Sequence, residues 1–410
     1  MEHYGKDNTR FYMKLNKAKR EAILGAVFLM GLSAIGPGFL TQTTVFTQEL
    51  GANFAFVIFI SILLDIGAQL NIWRIITVSN RRGQDIANEI VPGLGIAVSL
   101  IVALGGLAFN VGNIAGTGLG LEVMTGIPIK LAAVISAAIA IGIFLFKEAG
   151  HIMDKFVQYA GILLILLIVY VAAKSSPPVA EAAKRTLAPQ HFDKGVILAI
   201  VTLVGGSVGG YITFSGAHRL LDAGVHGAKM VAPVSKASLM GIGVTGIIRV
   251  ALFLAVLGVV SQGAQLLASN PVASVFEQAS GQTGYFIFGL VMWAAAISSV
   301  VGAAYTSVTF LRIFSPKVAQ LQNKLIILMI VVSTVIFITV GRPVQTLIIA
   351  GTLNGLVLPL TLGPMLIAAY KKSIVGTYKH PKWQAAFGGV VVLVMAYLSV
   401  YTLYEFILNI

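Results

Sequence analysis

Apolar runs of roughly helix-spanning length alternate with short polar connectors along most of this 410-residue chain. About 20 apolar residues in a helix match the hydrocarbon thickness of a bilayer. The pattern predicts eleven such helices, at 22–48, 53–79, 94–121, 129–147, 154–174, 194–221, 236–261, 283–312, 323–341, 344–371 and 384–408. The chain is read as a single transmembrane domain, 1–410: a basic segment 1–21, a first repeat 22–174, a second repeat 194–371 and an extra helix 384–408. The basic start is not read as a cleavable signal, because the first span is too long and has no small-residue cleavage pattern.

Two spans carry interruptions. The first contains Gly36-Pro37-Gly38 followed by Thr41-Gln42-Thr43-Thr44, and the sixth contains Gly205-Gly206-Ser207-Val208-Gly209-Gly210-Tyr211. Proline and clustered glycine break helices. In a membrane such breaks are tolerated where protein or a cavity satisfies the freed backbone groups. The first and sixth spans each open a set of five. An interrupted helix at matching places in two halves is the mark of an inverted-repeat transporter with its site at the breaks. The alternative reading is that the small residues serve close helix packing.

Composition agrees with lipid as the solvent. Hydrophobic residues make up 57% of the chain and charged residues 10%, against about 25% charged in soluble domains. Gly is abundant at 44, and Cys is absent, which removes disulfides, thiolate metal sites and cysteine nucleophiles. The net charge of +13 does not signal nucleic acid, since the cations lie in connectors and form no basic face with interleaved aromatics. Most of the 28 Lys and Arg fall in connectors that would share one side with the N-terminus. The positive-inside rule then places the N-terminus in the cytoplasm and, with eleven spans, the C-terminus outside a cell membrane.

The intramembrane polar inventory is short. Asp65 lies near the centre of the second span and Arg249 near the centre of the seventh, at similar depth, so they are expected to pair. Such a pair acts either as an interhelical staple or as a coupling group. His3, His151, His191, His218, His226 and His380 all fall at helix ends or in connectors, so no histidine is placed to ligate metal or relay protons in mid-membrane. Hydroxyls are plentiful, yet none is set beside a His or a second acid, so an enzyme is not expected and no cofactor is implied. Asn110 and Asn113 share a face of the third span, and Thr352 and Asn354 polarise the tenth. Amides in such places are often interhelical glue.

With these residues in view, the chain resembles the NRAMP divalent-metal transporter family, which has the LeuT-type fold. The resemblance covers about 340 residues. It rests on Gly36-Pro37-Gly38-Phe39-Leu40, Gly83-Gln84-Asp85-Ile86-Ala87, Gly112-Asn113-Ile114-Ala115-Gly116-Thr117, Gly126-Ile127-Pro128 and Leu353-Asn354-Gly355-Leu356-Val357-Leu358-Pro359. It implies an all-α integral membrane protein with eleven helices, two inverted five-helix repeats and one extra helix. It also implies a metal site that this chain does not reproduce. The family's first helix carries Asp-Pro-Gly-Asn, where this chain runs from Gly36-Pro37-Gly38 into Thr41-Gln42-Thr43-Thr44. The family's Met, backbone carbonyl and His of the sixth helix correspond to Gly209, Gly206 and Tyr211. Its tenth-helix Gln corresponds to Thr352, and its third-helix proton-path carboxylates correspond to Asn110 and Asn113.

A dehydrated dication in a low-dielectric site needs anionic or several strong oxygen ligands. Half-helix N-termini offer the opposite polarity and attract an anionic group such as a carboxylate. The expected substrate site is Gly38, Thr41, Gln42, Thr43, Thr44, Asn113, Gly206, Ser207, Gly209, Gly210, Tyr211, Thr352 and Asn354, with Asp65 and Arg249 as coupling or ion-pair residues and no bound metal. The expected function is secondary transport of a small carboxylate-bearing organic solute, amino-acid-like or oxoproline-like, with a proton or sodium as a possible coupling ion. The alternatives are transport of magnesium or manganese, and a membrane sensor without a transport cycle.

Overall fold

The computed structural model describes residues 35–408, and every regular element in that range is a helix. The basic segment, His3 and the start of the first span, 22–34, lie outside the described residues. Among the described residues, nine helical stretches are long and apolar enough to cross a membrane, and Ile129–Leu145 is a shorter apolar helix of 17 residues.

The first described helix, α1, is Pro37–Leu50. It starts where the sequence predicts a break, because proline fits the first helical position and lacks the N–H that would go unpaired there. A 3₁₀ turn at Gly51–Asn53 reverses the chain into α2, Phe54–Ser79. Gly51 has φ +55°, a conformation that glycine adopts without a β-carbon penalty. A short amphipathic helix, α3 (Gly83–Ile90), leads to α4 (Leu94–Thr125), α5 (Ile129–Leu145), α6 (Lys147–Lys174) and the surface helix α7 (Val179–Leu187).

The sixth span is two helices, α8 (Lys194–Ser207) and α9 (Tyr211–Asp222), separated by Val208, Gly209 and Gly210. Asp193 caps α8 by accepting from the Val196 amide at 3.0 Å. Then follow α10 (Val231–Ser261), α11 (Pro271–Leu311), α12 (Pro316–Gln320), α13 (Gln322–Val340), α14 (Pro343–Ala368), α15 (Lys372–Val375) and α16 (Lys382–Leu408). A kink at Gly281, φ +65°, divides α11 just before the span expected at 283.

Burial sorts these helices into centre and periphery. Within the most apolar window of the α8–α9 segment 89% of residues are buried, against 28% in α16. The broken sixth span therefore runs through the middle. Every residue of α1 from Pro37 to Thr44 is buried as well. Around this pair, α4 packs against α11 and α14, and α14 packs against α8. The outward faces of α5, α6 and α16 carry Leu131, Ile135, Ile162, Leu166, Leu393 and Val400, all exposed and apolar. An apolar surface of this extent is solvated by lipid.

Glycine makes the central contact. A β-carbon on Gly209 would lie 2.7 Å from the Asn354 carbonyl oxygen, and one on Gly205 would collide with the Gly351 carbonyl. Gly205 and Gly209 on one side and Gly351 and Gly355 on the other form facing small-xxx-small pairs, which let two backbones approach.

Candidate substrate-binding site

The break in the sixth span is stereochemically fixed. Gly210 has φ +48° and ψ −111°, outside the regions open to ordinary residues. The Gly210 position also abuts the Asn354 side chain. Asn354 uses both amide hydrogens, donating to the Gly105 and Ala350 carbonyls at 2.9 Å each. It thus ties α14 to α4 beside the break, and its Oδ1 has no partner.

Gln42 is the α1 residue that reaches the break. Its Nε2 donates to the Leu347 carbonyl of α14 at 3.1 Å. Its carboxamide sits in the space that β-carbons on Gly206 and Gly351 would fill. Gly38, one turn earlier, lies against both Gln42 and Phe109: a β-carbon there would be 3.5 Å from each. The Phe109 ring meets the Tyr211 ring edge-on at 5.2 Å. Asn113 faces the Tyr211 hydroxyl, but neither end of its carboxamide completes a hydrogen bond of normal geometry. Gly38, Gln42, Gly206, Gly210, Tyr211, Asn113 and Asn354 therefore gather around one junction of α1, α4, α8, α9 and α14.

Other expected residues take different places. Thr41, Gln42, Thr43 and Thr44 are consecutive in a helix, where each step turns about 100°, so they face different neighbours. All three threonine hydroxyls are buried without partners. Thr352 is engaged with Thr202 at 2.7 Å between hydroxyl oxygens. It donates its own hydrogen to Ile348 O at 3.0 Å. Ser207 lies beside Asp65, while its single hydroxyl hydrogen goes to Leu203 O at 2.7 Å.

The expected contact pair Asp65–Arg249 is not formed. Among the described residues no ion pair within 4 Å joins them. The Arg249 guanidinium instead lies over the Phe39 ring, 4.4 Å from its centroid. Equal depth places two residues in one layer but does not fix the rotation of their helices, and an aromatic face competes for a guanidinium. Phe109, Thr202, Leu347 and Gly351 were not singled out from the sequence, and Phe39 entered only as part of the Gly36–Leu40 motif and not as a site residue. Only Gly351 carried a signal, through its spacing from Gly355.

Among the described residues no group of three or more His, Cys, Asp or Glu is placed to hold a metal ion. The "Nramp: Natural resistance-associated macrophage protein-like" family model matches residues 27–405. The chain belongs to this NRAMP-like family. An uncharacterized membrane protein of Bacillus subtilis (strain 168), YcsG, is 58% identical over 93% of this chain and 94% of its own length. An uncharacterized membrane protein of Haemophilus influenzae is 54% identical over 95% of this chain and 97% of its own length.

Among solved structures, the Eremococcus coleocola manganese transporter, in complex with an aromatic bis-isothiourea substituted compound, superposes with a TM-score of 0.72. It is 16% identical, with 93% of this chain and 86% of that chain covered. MhsT in complex with L-phenylalanine gives a TM-score of 0.61 at 17% identity, with 94% and 98% covered. At these identities the likeness is one of fold. The NRAMP-like chain is thus a membrane transporter of LeuT-type architecture, and its junction differs chemically from the metal site that family resemblance implies.

Proposed function

We propose that this NRAMP-like protein moves a small carboxylate-bearing organic solute by alternating access, with its site between α1 and the α8–α9 break. The observation that carries the reading is the chemistry of the junction. Gln42, Asn113 and Asn354 bring buried polar atoms without partners, and no cluster of acids or imidazoles accompanies them among the described residues. Buried polar atoms are paired in the great majority of folded proteins, and a polar organic ligand supplies hydrogen-bond partners. A naked dication needs charged or multiple strong oxygen ligands instead. The MhsT structure with L-phenylalanine supports the class of solute, since it holds an amino acid in a related fold.

In this reading the halves 22–174 and 194–371 rock against each other, with the N-terminus in the cytoplasm and the C-terminus outside. The helix N-termini at Pro37 and Tyr211 supply oriented N–H dipoles. Uptake into proteoliposomes tests it. Radiolabelled 5-oxoproline, proline and alanine are expected to include an accumulated substrate, and a lumenal dye is expected to show no manganese entry. Manganese flux without movement of any carboxylate would overturn the proposal. A specific observation favours the second reading, transport of manganese or magnesium: the solved manganese transporter shares the fold. That reading predicts thermal stabilisation by the metal, growing with its concentration.

A further inference from the structure

Arg249 is the most conspicuous charge in the membrane layer. It is 3% exposed, in the middle of α10. Arginine stays protonated in proteins, so the group is a fixed positive charge in a low-dielectric region. Such residues normally pair with acids or with backbone carbonyls. Here Nε and Nη2 have no hydrogen-bond partner, and among the described residues no carboxylate lies within 4 Å. Asp65 acts on it only through the field. A structural staple would have closed these donors onto an acceptor.

The guanidinium is held by stacking instead. It rests on Phe39, itself 1% exposed, and Phe39 is the third residue of α1. The N-terminus of that 14-residue helix has no side-chain cap and no acid in its first turn. Its leading N–H groups and positive dipole end therefore stand near a cation with open donors. Two positive features without a contacting counter-ion among the described residues suit an anion.

We infer that Arg249, poised on Phe39 beside the start of α1, receives the carboxylate of the transported solute. This rests on the solute reading above and names the residue that selects the substrate's charge. Arginine matches a carboxylate through two parallel N–H donors, so a neutral amide of the same shape forfeits the charge-assisted bonds.

The test uses the full chain in lipid nanodiscs and measures binding of radiolabelled proline and 5-oxoproline, with prolinamide and 5-oxoprolinamide as competitors. Wild type is expected to prefer whichever acid it binds over the matching amide by on the order of 100-fold. In Arg249→Gln the acid is expected to weaken by a similar factor while the amide changes little, and Arg249→Lys is expected to recover part of the loss. Equal affinity of wild type for acid and amide would overturn the inference, and this readout needs no variant to fold. Unchanged acid binding by a monodisperse Arg249→Gln would also overturn it, leaving the solute reading intact. Binding of neither acid by wild type, with manganese bound instead, would sink both.

Discussion

The carboxamide of Gln42 occupies the volume that a side chain at Gly206 would need. The amide nitrogen of Gln42 is anchored on the Leu347 carbonyl at 3.1 Å, so it cannot swing away without losing that bond. Gly206→Ala is therefore expected to push Gln42 off Leu347 and to separate α1 from α14. Overpacking of a close contact costs about 1–3 kcal/mol. A lower Tm in detergent together with lost solute uptake is the expected result. A variant with wild-type Tm and uptake would show that the contact is slack.

Asn354 and Asn110 make a contrasting pair. Asn354 donates to Gly105 and Ala350, whereas both amide atoms of Asn110 are buried without partners. Removing one half of a satisfied pair leaves a buried acceptor exposed to hydrocarbon, at about 1–3 kcal/mol. Asn354→Leu is expected to lower Tm. Asn110→Leu is expected to leave Tm unchanged or raised, because it removes an amide that has nothing to bind. Thermal unfolding followed by size-exclusion fluorescence distinguishes the two.

Asp222, at the end of α9, joins three elements. It accepts from Arg82 at 2.6 Å and from the Tyr305 hydroxyl of α11 at 3.2 Å. The pair is partly exposed, and exposed ion pairs contribute about 0.2–1 kcal/mol, enough to shift an open–closed equilibrium by up to about five-fold. The chain has no cysteine, so Thr306→Cys alone reports access to this end; Thr306 is buried and bonded to Ser215 at 2.9 Å. Adding Asp222→Asn is expected to raise the maleimide labelling rate, by up to about five-fold. No change in rate would show that this link does not hold the end closed.

His380 lies in the connector before α16, and burial, followed by the positive charge of Arg74, pushes its pKa down to about 4. Its Nε2 is 2.8 Å from Asn71 Oδ1. Both amide hydrogens of Asn71 go elsewhere, to Gly67 and Gln384 carbonyls, so Nε2 carries the imidazole hydrogen. The unfolded chain takes up a proton near pH 6.5 and the folded chain only near 4. His380 therefore contributes full stability above about pH 6.5, and that contribution falls as the pH drops from 6.5 towards 4. Tm measured across that window is expected to decline less steeply in His380→Gln than in wild type. Equal slopes would refute the assignment.

Much of this architecture was written locally. The apolar runs gave most helix positions within a few residues, because a span must match the bilayer thickness. Two helices, α6 at Lys147 and α11 at Pro271, start well before the expected 154 and 283, since a helix can extend beyond its apolar stretch. The break at Gly209 and Gly210 was legible because no ordinary residue adopts Gly210's backbone angles. The start of α1 at Pro37 was legible through the missing N–H of proline.

The sequence by itself therefore determined a polar, interrupted centre inside an apolar helical bundle. Tertiary structure alone decided who meets whom. It set Gln42 between Gly206 and Gly351, engaged Thr352 with Thr202, and laid Arg249 on Phe39 instead of on Asp65. Sequence fixes how deep a residue lies along its helix, but the angle at which each helix faces its neighbours comes from packing many side chains at once.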